Sequence, residues 1–228
     1  MKRIGLVGGL GPEATVDYYR IIIDEYRKKT GGNAPEMVVY SLNLRDFPDI
    51  GKKDKVVEWL VKAIRSLHRA GADFAIITAN TPHIVFNEVE ALSPIPLLSI
   101  VEETCCVVSG LNIKKAGLLG TKVTMSSDFY QRVFSRHNIS VVVPSVQEQN
   151  YINEKLISEI MYNQIVDETR QGLLEIVRRM IDDHGIECLI LGCTELPLIL
   201  TESTFGIPFL NTTRIHAESA VWFCLTGQ

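Results

Sequence analysis

The chain has 228 residues, 46% hydrophobic and 22% charged, with mean hydropathy +0.13, which supplies the material of a folded soluble core and excludes a disordered chain. Lys and Arg number 23 against 27 Asp and Glu, a net charge of -4 with no basic patch, so a nucleic-acid partner is not expected. No apolar run approaches the ~18–20 residues of a membrane span, and five scattered cysteines give neither a disulfide framework nor C-x-x-C zinc spacing, so a cytoplasmic protein with reduced thiols, no metal and no membrane contact is expected.

The first fifteen residues lack the apolar stretch of a signal peptide and read as a strand, Ile4–Val7, running into a glycine turn. Pro12 opens a helix through Tyr18, Ile21, Ile22 and Tyr26 that stops near Gly31. Strand Met37–Ser41, helix Val56–Ala70, strand Phe74–Thr78, helix Ile84–Leu92, strand Leu97–Ile100 and helix Glu102–Val108 follow. Beyond them come strand Ala116–Leu119, helix Ser127–His137, strand Ser140–Val143, helix Asp167–Asp183, and strands Cys188–Leu191 and Pro208–Asn211. A last helix starts at about Thr213. Short apolar strands alternating with helices predict an α/β fold with parallel sheets flanked by helices on both faces.

The chain repeats itself. Ile4-Gly5-Leu6-Val7-Gly8 is answered by Ala116-Gly117-Leu118-Leu119-Gly120 at an offset of 112, and Ile95-Pro96-Leu97-Leu98 by Ile207-Pro208-Phe209-Leu210 at the same offset. Asp17-Tyr18-Tyr19-Arg20 is answered by Asp128-Phe129-Tyr130-Gln131, and Ala72–Ile77 by Ile186–Leu191 at an offset of 114. Four matches in one order argue a duplication. It predicts two pseudo-symmetric α/β domains, residues 1–100 with 213–228 and residues 101–212, and an active site in the cleft where the carboxyl ends of their strands meet.

Three strand-end motifs carry the candidate chemistry. Gly8-Gly9-Leu10-Gly11-Pro12 turns from the first strand into a helix and offers backbone N–H groups around Leu10 to an anion. It also fits the dinucleotide pattern G-x-G-x-x-A, but the second strand ends in Ser41-Leu42-Asn43 where that pattern wants an acid. A tight turn with no ligand is the plain alternative. Thr78-Ala79-Asn80-Thr81-Pro82-His83 supplies neutral donors where a helix begins; Asn80 or Thr81 could equally cap that helix, and His83 is either a substrate contact or packing. Gly192-Cys193-Thr194-Glu195 puts a thiol at the start of a short helix, where positive potential favours the thiolate over the ordinary pKa of about 8.5. Glu195 would orient that thiol, take its proton, or equally bind a backbone amide. Cys105, Cys106, Cys188 and Cys224 read as inert core residues. Arg45 could pair with a substrate carboxylate or merely with Asp46.

Taken in order, GGLGPEATVDYY, SLNLRDFP, ANTPH, LLGTKVTMSSDFY, LGCTEL and NTTRIHAESAV resemble the aspartate/glutamate racemase family, cofactor-independent amino acid racemases, over essentially the whole chain. The resemblance implies a homodimer, no cofactor, an acidic amino acid or dicarboxylate as substrate, and two thiols facing each other across the substrate α-carbon. It implies carboxylate contacts from the backbone around Leu10 and from Asn80, Thr81, Thr121, Thr124 and Thr194. The sequence departs from that pattern at Ala79, where the first thiol would stand, and at Asn211, where many members have Asp. The repeat gives the same pairing, because Ala79 lies 114 residues before Cys193. With one thiol lost, the hydroxyls of Thr78 or Thr81, His83 or an ordered water are the candidate substitutes. The layout is also similar to that of arylmalonate decarboxylases, which leaves a single-thiol decarboxylase or isomerase, or a binding protein without turnover, as alternatives.

Overall fold

The computed structural model describes residues 1–201 and 203–227. Strand β1 (Ile4–Gly8) is buried at every residue, as a strand covered on both faces must be. Helix α1 (Pro12–Thr30) has Pro12 in its first turn and ends at Gly31, whose φ of 66° lets its N–H reach the Arg27 carbonyl. There follow β2 (Met37–Ser41), α2 (Lys53–Arg69), β3 (Phe74–Ile77), a 3-10 turn (Thr81–Val85), α3 (Phe86–Leu92), β4 (Leu97–Leu98) and α4 (Ile100–Gly110). The series then recurs as β5 (Lys115–Gly120), α5 (Lys122–Ser126), α6 (Phe129–Ser135), β6 (Ser140–Val142), α7 (Val146–Ser158), α8 (Asp167–His184), β7 (Cys188–Gly192), α9 (Leu196–Ile199), β8 (Phe209–Asn211) and α10 (Thr212–Thr226). Among the described residues, no helix is long and apolar enough to cross a membrane.

All strand pairs are parallel, in two four-stranded sheets ordered β2-β1-β3-β4 and β6-β5-β7-β8. The order and the central register repeat: Ile4 lies between Met37 and Phe74, and Ala116 between Val141 and Cys188. The chain parts into two units, Met1–Glu103 with the segment from Thr213 onward, and Thr104–Thr212. It passes from one to the other within α4 and returns at the start of α10.

In the first unit the two-residue period of β1 sends alternate side chains to opposite faces. Val7 joins Val56, Leu60, Ile64 and Leu67 of α2. Ile4 and Leu6 join Tyr18 and Ile22 of α1 and Ala217, Ala220 and Val221 of α10. Each Val, Leu or Ile side chain among these contributes roughly 1.5–3 kcal/mol by leaving water. The second unit buries Ile152 and Leu156 of α7 and Leu173, Ile176 and Val177 of α8 against Leu119, Leu189 and Leu191.

Several local expectations are corrected. The strand expected over residues 97–100 stops at Leu98, because Ser99 accepts the Glu102 N–H on its side chain and Ile100 already opens α4. The expected helices over 84–92 and 127–137 form only as the shorter α3 and α6, the first preceded by the 3-10 turn and the second by α5. Helix α7 was not expected at all. Cys106, expected in the core, is exposed on α4, whereas Cys105, Cys188 and Cys224 are buried.

Candidate active site

In the first unit the β1–α1 turn is shaped by Gly9, whose φ is +79° and whose missing Cβ would collide with the Leu42 backbone. Leu42 N–H in turn donates to the Gly8 carbonyl at 2.9 Å, tying the end of β2 to the turn. Thr15, which sequence reasoning passed over, fills the space beneath Gly8. Its Oγ1 accepts from Gly9 N–H at 2.9 Å and lies 3.3 Å from Thr78 Oγ1. A threonine one turn into a helix that follows a glycine turn was the available signal. No side chain caps α1, so its first turn keeps the electropositive end that suits an anion next to Leu10.

Thr78 is fully buried and donates to the Val7 carbonyl at 3.1 Å. Its hydroxyl is spent on the scaffold, and the expectation that it serves as a base is withdrawn. Ala79 is half-buried and Asn80 buried. Asn80 occupies the position before the 3-10 turn without a side-chain cap bond, so the expected capping role is not filled; Thr81 begins the turn, half-buried. His83 is buried, with Nδ1 2.9 Å from the Ala79 carbonyl and Nε2 3.2 Å from the Ile100 nitrogen. Both ring nitrogens are therefore occupied by backbone, which removes the reading of His83 as a hydrogen-bonding substrate contact. Arg45 is exposed on the short turn after β2; it makes no ion pair among the described residues, with Asp46 or any other acid, while its backbone N–H bonds Asn43 Oδ1 at 3.2 Å.

In the second unit Thr121 caps α5, its Oγ1 accepting from Thr124 N–H at 3.3 Å and lying 3.1 Å from Thr124 Oγ1. Thr124 is fully buried under Gly120, the place Thr15 takes under Gly8. Cys193 follows β7, only 5% exposed and packed in the cluster that holds Leu191, Leu196 and Ile199. Its Sγ donates to Glu195 Oε2 at 3.0 Å, and Thr194 Oγ1 donates to the same oxygen at 2.7 Å. Burial pushes the Cys193 thiol well above its ordinary value, and the Glu195 carboxylate, by its charge and as the acceptor of the thiol hydrogen, pushes it further. The backbone N–H groups of Glu195 and Thr194 act in the opposite direction and lose. The expected thiolate is thus corrected to a resting thiol: α9 has four residues, too few for a dipole that offsets burial. Cys188, further back on β7, is held up to about 12, first by burial. Among the described residues no cluster of His, Cys, Asp and Glu is placed to hold a metal ion.

Comparison with known proteins adds kinship. The model of the Asp/Glu/Hydantoin racemase family matches residues 7–220. The chain is 29% identical to a broad specificity amino-acid racemase of Bacillus subtilis, across 99% of each. It superposes on a putative Asp/Glu racemase from Yersinia pestis with a TM-score of 0.90 at 30% identity, covering 99% of this chain and 100% of that one. An aspartate racemase homologue from Pyrococcus horikoshii gives 0.87 at 31% identity with the same coverage.

Proposed function

Since the chain belongs to the Asp/Glu/Hydantoin racemase family and its relatives are amino-acid racemases, we propose that it exchanges the α-proton of an acidic amino acid through the pair Cys193 and Glu195, without pyridoxal phosphate. The observation that carries this reading is the 3.0 Å hydrogen bond from Cys193 Sγ to Glu195 Oε2 at the end of β7. The carboxylate takes the thiol proton and leaves a thiolate. The thiolate removes the proton from Cα, and the electron pair left there spreads into the substrate α-carboxylate. The new S–H trades its hydrogen for one from solvent by way of the Glu195 carboxyl before it returns one to Cα, and Glu195 then returns its proton to sulfur, so the α-hydrogen is replaced and the cycle closes with no net change in the protein. Burial of Cys193 suits this sequence, because it keeps the sulfur protonated until the acceptor acts. Family resemblance gives the backbone around Leu10, with Asn80, Thr81, Thr121, Thr124 and Thr194, as the contacts for substrate carboxylates, and the charge of Arg45, exposed after β2, makes it a further candidate.

The test is loss of the Cα–H signal of L- and D-aspartate and glutamate in D2O, followed by NMR. Cys193→Ala should slow exchange by at least about 100-fold, the lower end of what one general acid–base group contributes. Cys188→Ser, altered at a buried thiol outside the pair, should exchange at the parental rate per folded molecule. Exchange unaffected by Cys193→Ala overturns the assignment. Ala79 favours a second reading, one-faced protonation of a carbanion formed by decarboxylation; release of CO2 from a malonate-type dicarboxylate, with no exchange on amino acids, would select it.

A further inference from the structure

Two buried histidines of the first unit have no part in that chemistry. His83 sits on the 3-10 turn after β3 and is 3% exposed; His216 sits on α10 and is 0% exposed. All four ring nitrogens are engaged. His83 holds the Ala79 carbonyl through Nδ1 and the Ile100 N–H through Nε2. His216 holds the Leu98 carbonyl through Nε2, at 3.0 Å, and the Tyr18 hydroxyl through Nδ1, at 2.9 Å. The partners dictate where the protons are. A carbonyl only accepts and an amide N–H only donates, so His83 carries its proton on Nδ1 and His216 on Nε2. Both rings are neutral, and a second proton on His83 would set its Nε2–H against the Ile100 N–H.

The rings lie 6.1 Å apart, edge to face, and Phe86 stacks on His83 at 5.2 Å, so neither imidazole can turn without unpacking the other. Burial lowers His83 to about 4 and His216 to about 3, which agrees with neutral rings. Backbone bonds flank the Ala79 segment: Thr78 N–H to the Val7 carbonyl on one side and His83 N–H to the Asn80 carbonyl on the other. The His83 ring bridges the Ala79 carbonyl and the N–H of Ile100, the first residue of α4.

We propose that His83 is a positioning residue: it fixes the Ala79–Thr81 segment against the start of α4 so that Asn80 and Thr81 are held ready for a substrate carboxylate, with His216 as the support behind it. The carboxylate role of that segment rests on the racemase reading; the tie itself does not. A strand-end loop set by a short bond to a neighbouring helix keeps its donors in one geometry, and misplacement by an ångström is costly in catalysis.

The two bonds can be separated. His83→Asn keeps an N–H donor near the Nδ1 position for the Ala79 carbonyl and gives up Ile100. His83→Gln places an amide oxygen near the Nε2 position for the Ile100 N–H and gives up Ala79. Imidazole 15N spectra of the unliganded parent should show the proton of His83 on Nδ1 and that of His216 on Nε2. Without ligand, exchange of the Ile100 amide should quicken roughly fivefold in His83→Asn, as loss of one hydrogen bond implies, and stay near parental in His83→Gln. Because either change severs the tie between the Ala79 segment and α4, L-aspartate, measured by calorimetry, should bind both His83→Asn and His83→Gln at least about tenfold more weakly than the parent. A merely structural histidine would lower thermal stability in both variants and leave aspartate binding by the folded protein within about threefold of the parent; that result overturns the proposal. So does a proton found on Nε2 of His83, a measurement on the parent that needs neither variant to fold. A parent that shows the Nδ1 proton and the split in amide exchange but binds no aspartate refutes the racemase reading and leaves the tie standing.

Discussion

Cys193 and Glu195 show how far residue identity reaches and where it stops. The glycine, thiol, hydroxyl and carboxylate of residues 192–195 were legible as a candidate site because each has chemistry of its own. The sign of the thiol's electrostatics was not, since it depends on two facts that spacing does not carry: α9 is four residues long, and Glu195 folds back on Sγ. Thr78 was misread for a similar reason, its hydroxyl being spent on Val7. Glu195→Gln separates the two effects of the carboxylate. With the charge gone, the thiol pKa falls toward its ordinary value, so the pH midpoint for alkylation of Cys193 by iodoacetamide moves down. The proton acceptor is gone too, so Cα–H exchange at neutral pH drops by at least roughly tenfold. Faster alkylation with slower turnover is the expected pair, read by mass spectrometry and NMR on the same samples. A midpoint that rises would show that Glu195 does not act on the sulfur as placed.

At the scale of elements, the strands were legible wherever an apolar run met a glycine or proline boundary, as at Ile4–Gly8 and Cys188–Gly192. Helix α2 was legible because Val56, Leu60, Ile64 and Leu67 recur at helical spacing. Helix α7 was not, because only Gln149, Ile152 and Leu156 are buried along it and its stripe is thin. Its start did carry a signal in Ser145 and Glu148, whose side chains each bond the other's backbone N–H as a capping box. The helices that carry the chain between units could be placed, but not how they are held, since no periodicity announces the Tyr18, His83 and His216 contacts. Those contacts have a pH consequence. Both folded-state values lie below the 6.5 of free imidazole, so the unfolded chain binds protons that the folded chain refuses. Their contribution to stability is present above about pH 6.5 and is lost as pH falls toward 4 and 3. By pH 5 this amounts to ~2 kcal/mol for each histidine. Urea midpoints should therefore drop between pH 7 and pH 5, and His216→Gln should flatten that drop. An unchanged midpoint from pH 7 to 5 would mean that the two rings accept protons when folded.

The duplication governs the whole molecule, and the structure repeats it more closely than the sequence does. Both sheets have the same order, and one contact is made twice: the Tyr18 hydroxyl bonds His216 on α10, and the Tyr130 hydroxyl bonds Thr104 on α4. Tyr130 lies 112 residues after Tyr18 and His216 lies 112 after Thr104, so the two bonds are counterparts, although no resemblance between histidine and threonine could have announced it. By the same logic Ala79 and Cys193 are counterparts, each following the third strand of its sheet, β3 and β7. A methyl group carries no transferable proton, so the position answering Cys193 is chemically empty. A racemase must take a proton from one face of Cα and deliver one to the other. The parent should thus exchange the α-proton of one enantiomer faster than it inverts that enantiomer. Ala79→Cys restores a thiol at the empty position. Ala79 is half-buried where Cys193 is almost sealed, and Thr81 stands where Glu195 stands in the other unit, so no carboxylate two residues on opposes ionisation. The new thiol should ionise more readily than Cys193 does, and the added sulfur is a modest increase in volume at a partly open position. One added acid–base group is worth about 10²–10⁴-fold, so racemisation of aspartate or glutamate should rise by at least roughly tenfold, followed by chiral chromatography from both enantiomers. A folded Ala79→Cys protein that binds aspartate but inverts it no faster would show that another group already serves that face.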